Sequence, residues 1–197
     1  EPSASQTGEA FDQPFERVVW ATSASNSASA LAGCAGAAPD FIANALRTWA
    51  HQADALRFEA ITTVYAWAPQ ARLPHPMLAL RATPDAPAQF VFDRGQLGGP
   101  RGLLAFVVSA SSGTRDAVQA AVLAQAQTEL AALGVPPLQA LLTVVEKRAT
   151  FACLPGLLRP PQTIAQGLLA AGDYVQGPYP ATLEGAVRSG WAAGSGS

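Results

Sequence analysis

Lys147 is the only lysine in 197 residues. Schiff-base chemistry or a lysine-bearing phosphate loop therefore has almost no candidate side chain. Charge is scarce altogether. Asp, Glu, Lys and Arg make up 13% of the chain, where roughly a quarter is usual. A formal net charge of -2 leaves no electrostatic footprint for nucleic acid, so no nucleic-acid partner is expected. The two histidines, His51 and His75, do not stand at ligand spacing, and no Cys/His/Asp/Glu cluster is visible, so no metal site is expected. No stretch approaches about 18 consecutive apolar residues, which argues against a spanning helix. The opening EPSASQTGEA lacks the charged and apolar regions of a signal peptide. No G-x-S-x-G elbow exists for a serine hydrolase, and Ser109–Gly113 (SASSG) is not one. Cys34 and Cys153 have no CxxC partner and read as buried free thiols in a reducing compartment. The first residue is Glu and the one methionine is Met77, which reads as a piece of a longer protein.

What the chain has instead is apolar bulk: 49% of its residues are hydrophobic. That much with so little charge calls for extensive burial or a lipophilic ligand. Residues 1–14 read as a polar lead-in and Phe15–Ala21 as a short strand. The Ser- and Ala-rich segment after it reads as a loop into a helix, with a flexible connector favoured over a strand end whose small residues pack against a cofactor. Pro39 and Asp40 open a helix over 38–55, with Phe41, Ile42, Ala45, Leu46 and Trp49 as its apolar face. Phe58–Ala68 is the strongest strand, β-branched and aromatic, and prolines 69, 74 and 76 end it. Met77–Arg81, Gln89–Asp93 and Leu103–Ala110 suggest three more strands, the last two joined by GQLGGPRG as a hairpin turn. Thr114–Leu133 reads as a long helix and Leu141–Thr150 as a further strand. The fold class expected is α/β with an inserted α+β block.

Residues 171–190, AGDYVQGPYPATLEGAVRSG, concentrate the functional signal. A short apolar strand ends in Gly172 and Asp173. A carboxylate at the end of a parallel strand is where α/β folds place ligand contacts. Asp173 reads equally as a ligand carboxylate or as the cap of the turn that follows. Pro180 suits a first helical position, and Ala181–Ala193 reads as a helix. Glu184 and Arg188 form an i,i+4 pair. Ala181, Gly185 and Ser189 make a stripe with almost no side chain, where a flat ligand or a strand can approach. The helix N-terminus offers N–H groups and partial positive charge.

This last stretch resembles the C-terminal flavin motif of the amine oxidase and phytoene desaturase superfamily. FDRG (Phe92–Gly95), EKRATFA (Glu146–Ala152) and PATLEGAVRSG (Pro180–Gly190) narrow the likeness to squalene-associated FAD-dependent desaturases, also called hydroxysqualene dehydroxylases. The resemblance covers about residues 17–193. It implies the C-terminal half of a two-domain FAD-dependent fold. Residues 1–32 and 151–193 would belong to the FAD-binding domain, 33–150 to a sheet-and-helix substrate domain, and 194–197 to a flexible tail. It implies FAD as cofactor, bound by Gly172, Asp173, Ala181, Thr182 and Leu183, with Asp173 at the ribityl chain and Thr182 and Leu183 near the pyrimidine edge of the flavin. It implies reductive dehydroxylation of hydroxysqualene to squalene for hopanoid synthesis. The partner would be a lipophilic isoprenoid, and the location cytoplasmic, at the inner membrane face. Carotenoid desaturation, amine oxidation, or isoprenoid binding without catalysis are the competing readings. No catalytic side chain is assigned; Arg94, Glu146 and Arg148 read as solvated residues.

Enzymes of this kind begin with a strand and a GxGxxG turn that grips the FAD pyrophosphate, and no GxGxxG occurs here. A second chain or an N-terminal half is thus expected to complete the cofactor site. Alone, this chain is expected to bind FAD weakly or not at all. The strands ending at Ala21 and Asp173 are expected to lack sheet neighbours.

Overall fold

The computed structural model describes residues 15–195, so the lead-in expected over residues 1–14 lies outside the described residues. Along the chain come β1 (Val18–Trp20), α1 (Ala24–Cys34), α2 (Asp40–Asp54), β2 (Phe58–Trp67), β3 (Met77–Ala79), β4 (Phe90–Asp93) and β5 (Leu103–Ser109). Then follow α3 (Arg115–Glu129), β6 (Gln139–Phe151), β7 (Thr163–Ala165), β8 (Leu168–Ala170) and α4 (Leu183–Ser195). The result is a mixed α/β structure. It divides into two compact units, Arg57–Ala152 and the two flanking segments up to Leu56 and from Cys153.

The flanking unit holds a three-stranded sheet in the order β1-β8-β7. β1 and β8 run parallel, with Val18 opposite Leu168 and Trp20 opposite Ala170. The strands ending near Ala21 and Asp173, expected to lack neighbours, are therefore each other's neighbour. The far edge of β1 carries no partner strand among the described residues. β7, which the Pro-rich sequence before it hid, pairs antiparallel with β8.

The Ser-rich connector is a helix, α1. Ser23 caps it, accepting from the Asn26 N–H at 3.4 Å. Ala24, Ala28, Leu31 and Ala35 recur at helical spacing and are buried. Serines that look like linker residues thus serve as cap and core. α1 packs against α2, and α2 against β7. Both helices therefore stay with the flanking unit, and the boundary expected at residues 32–33 falls instead at 56–57. The second boundary falls at 152–153 rather than 150–151. On α2 the buried face is Ala43, Leu46, Trp49, Ala50 and Ala53. It is rotated from the expected one, and Phe41 at its start is 73% exposed. Cys34 and Cys153 form no disulfide with each other and are exposed, not buried.

The other unit is a five-stranded antiparallel sheet in the order β3-β4-β5-β2-β6. Residues 62, 64 and 66 of β2 point to one face and 63, 65 and 67 to the other, as strand geometry requires. Val64 and Phe106, paired across β2 and β5, are fully buried together with Leu104, Val91 and Val122 of α3. Truncating a side chain such as Phe106 to Ala at such a position costs about 3–5 kcal/mol. α3 is shorter than expected. A 3-10 turn over Ala131–Leu133 and Gly134 at φ +73° end it. GQLGGPRG is a hairpin turn, as read. A side chain at Gly102 (φ +77°) would put Cβ 2.2 Å from the Ala68 carbonyl oxygen. Asp93, 2% exposed, accepts from the Leu73 N–H at 3.1 Å, the Gln96 N–H at 3.2 Å and Gln96 Nε2 at 2.8 Å. It is a structural clasp on that turn.

The face of this sheet opposite the buried core is also apolar. One row crosses all five strands: Met77, Phe92, Ala105, Tyr65 and Leu142 stand side by side in register. A second row runs Ala79, Phe90, Val107, Thr63 and Val144. Met77, Phe90, Leu142 and Val144 are exposed. No helix among the described residues is long and apolar enough to cross a membrane.

Candidate cofactor site

Parallel pairing of β1 with β8 brings two carboxyl ends together. The Ala171 N–H donates to the Trp20 carbonyl at 3.0 Å, just before both strands turn away. Thr22 and Ser23 follow β1; Gly172 and Asp173 follow β8. Tyr174 then folds back over its own chain. Its hydroxyl donates to the Thr22 carbonyl at 3.0 Å and lies 3.1 Å from the Ser27 hydroxyl. Trp49 meets its ring edge-on at 6.3 Å. That ring is why position 172 is glycine: a Cβ there would lie 2.4 Å from Tyr174 Cε1. Gly172 is further held from α4, where Ser189 Oγ accepts from its N–H at 2.8 Å and donates to its carbonyl at 2.9 Å.

Asp173 is half-buried. Burial raises its carboxyl pKa, while the N–H groups of Asp173 and Tyr174 and the Arg159 guanidinium pull the other way. A carboxylate in this state is short of solvation and still has acceptor capacity. It suits hydroxyl donors. Its backbone carbonyl takes the Ala181 N–H at 3.4 Å. The strand end and the entry to α4 are thus adjacent, and Gly172, Asp173, Ala181, Thr182 and Leu183 fall in one locality.

The helix starts later than its prolines suggest. Tyr179 and Ala181 both have φ +56°, a left-handed conformation that costs a non-glycine residue roughly 1–2 kcal/mol. Pro180 therefore sits in the turn, not at the first helical position. Thr182 is the cap. Its hydroxyl accepts from the Gly185 N–H at 3.0 Å and donates to the Tyr179 carbonyl at 2.7 Å. Leu183 opens α4 and is 88% exposed. α4 runs through Ser195, so the tail expected from residue 194 begins inside it.

The small-residue stripe has an occupant, and it is this chain. A Cβ on Gly185 would lie 2.2 Å from the Tyr179 carbonyl oxygen, Ser189 grips Gly172, and Ala181 is outside the helix. The Glu184–Arg188 pair forms at 2.5 Å on the exposed side. The Arg188 guanidinium also lies 4.9 Å from the centre of the Tyr179 ring. Beyond it a cavity of about 710 Å³ opens between Gln162, Val175, Pro178 and the α4 residues Val187, Arg188 and Trp191.

Sequence reasoning passed over Tyr174 as a packing residue, Ser27 and Ser189 as polar clasps, and Arg159. The last reaches across the turn, with Nη1 donating to the Val175 carbonyl at 2.8 Å and Nη2 to the Gly177 carbonyl. The one sequence signal for it is its setting, an arginine ahead of the prolines 160 and 161.

Comparison with known proteins fits this architecture. The sequence profile described as flavin containing amine oxidoreductase matches residues 4–194. The chain belongs to that family, which is one of flavin-containing oxidoreductases. No curated protein sequence matches. Among solved structures, an oxidoreductase from Methanosarcina mazei is similar at 17% identity and a TM-score of 0.57, over 88% of this chain and 41% of that one. A protein from Pyrococcus furiosus aligns at 17% identity and a TM-score of 0.45, over 75% of this chain and 34% of that one. The chain spans less than half the length of either structure.

Proposed function

We propose that this chain is the part of an FAD-dependent oxidoreductase that holds the flavin's ribityl chain and pyrimidine edge, acting on a lipophilic isoprenoid. The observation that carries the reading is the half-buried Asp173 carboxylate at the joined ends of two parallel strands, one turn away from the N-terminus of α4. A carboxylate accepts from polyol hydroxyls, and a helix N-terminus favours negative charge at a ring edge. Gly172, Asp173, Ala181, Thr182 and Leu183 are the residues we assign to that contact. When bound, the flavin supplies hydride chemistry. The chain's own residues orient it and shield it from water.

The substrate reading is supported by the apolar five-strand row from Met77 to Leu142, whose two end residues are exposed and offer an isoprenoid contact. Dehydroxylation of hydroxysqualene to squalene is the reaction we favour. That reaction would exchange a C–O bond for a C–H bond and release the hydroxyl, with one proton, as water; a flavin held by Gly172, Asp173, Ala181, Thr182 and Leu183 would supply the hydride equivalent. Amine oxidation with flanking aromatics has only Tyr179, 51% exposed, as a candidate of the pair, because Tyr174 is buried and spends its hydroxyl on Thr22. The open edge of β1, with Val18 and Val19 exposed, suits a further parallel strand from a second chain or chain segment that would complete the cofactor site.

The test is titration of the full chain with FAD up to millimolar concentration, followed by flavin fluorescence, for the wild type and Asp173→Asn. Weak binding that Asp173→Asn weakens further is expected. Equal affinity of the two proteins would overturn the assignment. Squalene formation from hydroxysqualene, with FAD and a two-electron reductant, against turnover of phytoene and a primary amine, tests the substrate.

A further inference from the structure

The turn between β8 and α4 has a feature that the strand and helix alone do not explain. It holds two non-glycine residues, Tyr179 and Ala181, in left-handed conformation. Such residues persist only where their surroundings over-determine them. Within the turn the backbone bonds are long: Val175 N–H to the Gly172 carbonyl at 3.3 Å and Ala181 N–H to the Asp173 carbonyl at 3.4 Å. Besides the Thr182 hydroxyl on the Tyr179 carbonyl, the short contacts come from outside, from one short segment. Arg159 donates to the carbonyls of Val175 and Gly177, two residues apart, and the next residue, Pro160, accepts from the Gln176 N–H at 2.8 Å. Pro160 is among the most fully buried residues of the chain, so the anchor is itself fixed.

We propose that Arg159 is the positioning residue of the flavin site, clamping the 174–178 turn so that the Asp173 carboxylate and the α4 N-terminus hold a fixed relation. This rests on the reading of Asp173 as a flavin ligand. A planar guanidinium presents donors in a fixed fork and spans two carbonyls at once; an ammonium is a point charge and does not. The same guanidinium supplies positive charge to Asp173. It acts with the N–H groups of Asp173 and Tyr174 against the burial that disfavours the carboxylate. The other titratable group coupled to that carboxylate is the Tyr174 phenol, whose own pKa is raised, by burial first and also by Asp173. Arg159 thus has two separable jobs, shape through the fork and charge through proximity.

The experiment uses the full chain without ligand. The Asp173 carboxyl is titrated by carbon-13 NMR, and exchange of the Gln176 amide is compared with that of Ala170, whose N–H is held by the Gln162 carbonyl at 2.7 Å. In Arg159→Gln the Asp173 midpoint rises and Gln176 exchanges about tenfold faster or more, while Ala170 keeps its rate; loss of a charge-assisted hydrogen bond is worth a factor of this order. In Arg159→Lys the Gln176 amide exchanges faster but the Asp173 midpoint moves less. An unchanged midpoint and unchanged Gln176 exchange in Arg159→Gln overturn the proposal. So does equal acceleration at Ala170, which would make Arg159 a general stabiliser. FAD titration separates the two ideas. If Asp173→Asn weakens FAD binding while both Arg159 variants bind as the wild type does, the positioning role fails. If Asp173→Asn binds as the wild type does, the flavin reading fails, and with it the role assigned to the clamp.

Discussion

The Tyr174 hydroxyl lies 3.0 Å from the Thr22 carbonyl and 3.1 Å from the Ser27 hydroxyl, joining residues about 150 positions apart. It is the polar bolt between the ends of β1 and β8. Tyr174→Phe keeps the ring against Gly172 and Trp49 and removes only the bolt. Ser27 keeps the Ser23 carbonyl and the Thr22 hydroxyl as partners, so the loss is that of an ordinary hydrogen bond, about 0.5–1.5 kcal/mol. Chemical denaturation followed by far-UV circular dichroism should show a lower midpoint by that amount, and no loss would mean the hydroxyl is idle.

Two glycines of α4 should respond with opposite sign. Gly185→Ala places a methyl 2.2 Å from the Tyr179 carbonyl oxygen. The turn must shift, at about 1–3 kcal/mol. Gly190→Ala meets nothing within 4 Å and should stabilise by roughly 0.5–1 kcal/mol through helix propensity. Thermal melts of the two variants against the wild type decide it.

Asp93 should govern part of the acid response. Burial acts to raise its pKa, but the Gln96 side chain and the N–H groups of Leu73, Gln96 and Gly95 outweigh burial and leave the value lowered. A lowered native pKa means that the stabilisation is present above the ordinary value near 3.8 and is lost as pH falls through the native one. Asp93→Asn points an amide N–H₂ at donors and should lose about 1–3 kcal/mol at neutral pH. It should also lose that part of the acid dependence. Denaturation midpoints between pH 2 and 7 give both readings.

Asp173 has the opposite sign. Burial raises its native pKa, so its contribution to stability is greatest when protonated, at low pH, and fades as pH rises through the native value. Asp173→Asn should therefore melt higher than the wild type near neutral pH and bind FAD less well. A variant that melts lower would show that the carboxylate is structural, serving the turn alone.

The long elements were legible because their patterns are strong. β2 carries β-branched and aromatic residues in succession, and α2 opens on Pro39 and Asp40. Their ends and faces were less so. Phe41 has the hydrophobicity of a core residue, but the helix turns it outward and buries Ala43 instead. α1 was only half legible, as one of the open readings, because Ser is common to linkers, N-caps and buried hydrogen-bonded positions, and only tertiary partners such as Tyr174 separate the three. The pairing of β1 with β8 joins segments about 150 residues apart, and three-residue strands carry too little pattern to announce a partner. Around the candidate cofactor site, Gly172 and Asp173 stood out by type and position. The late start of α4 did not, because Pro180 is a good first helical residue and nothing local reveals the left-handed turns at Tyr179 and Ala181.

The row Met77, Phe92, Ala105, Tyr65 and Leu142 takes one residue from each of five strands. Neighbouring strands stand about 4.8 Å apart, so the row extends for about 19 Å. A surface of that kind is a ruler. The row itself carries no charge, Glu146 lying further along β6 on the same face, and it would reward a molecule for each strand that molecule crosses. An extended hydrocarbon gains contact with every step, while a compact one of equal carbon count stops after one or two. For the isoprenoid ligand proposed above, discrimination on this sheet would be by reach.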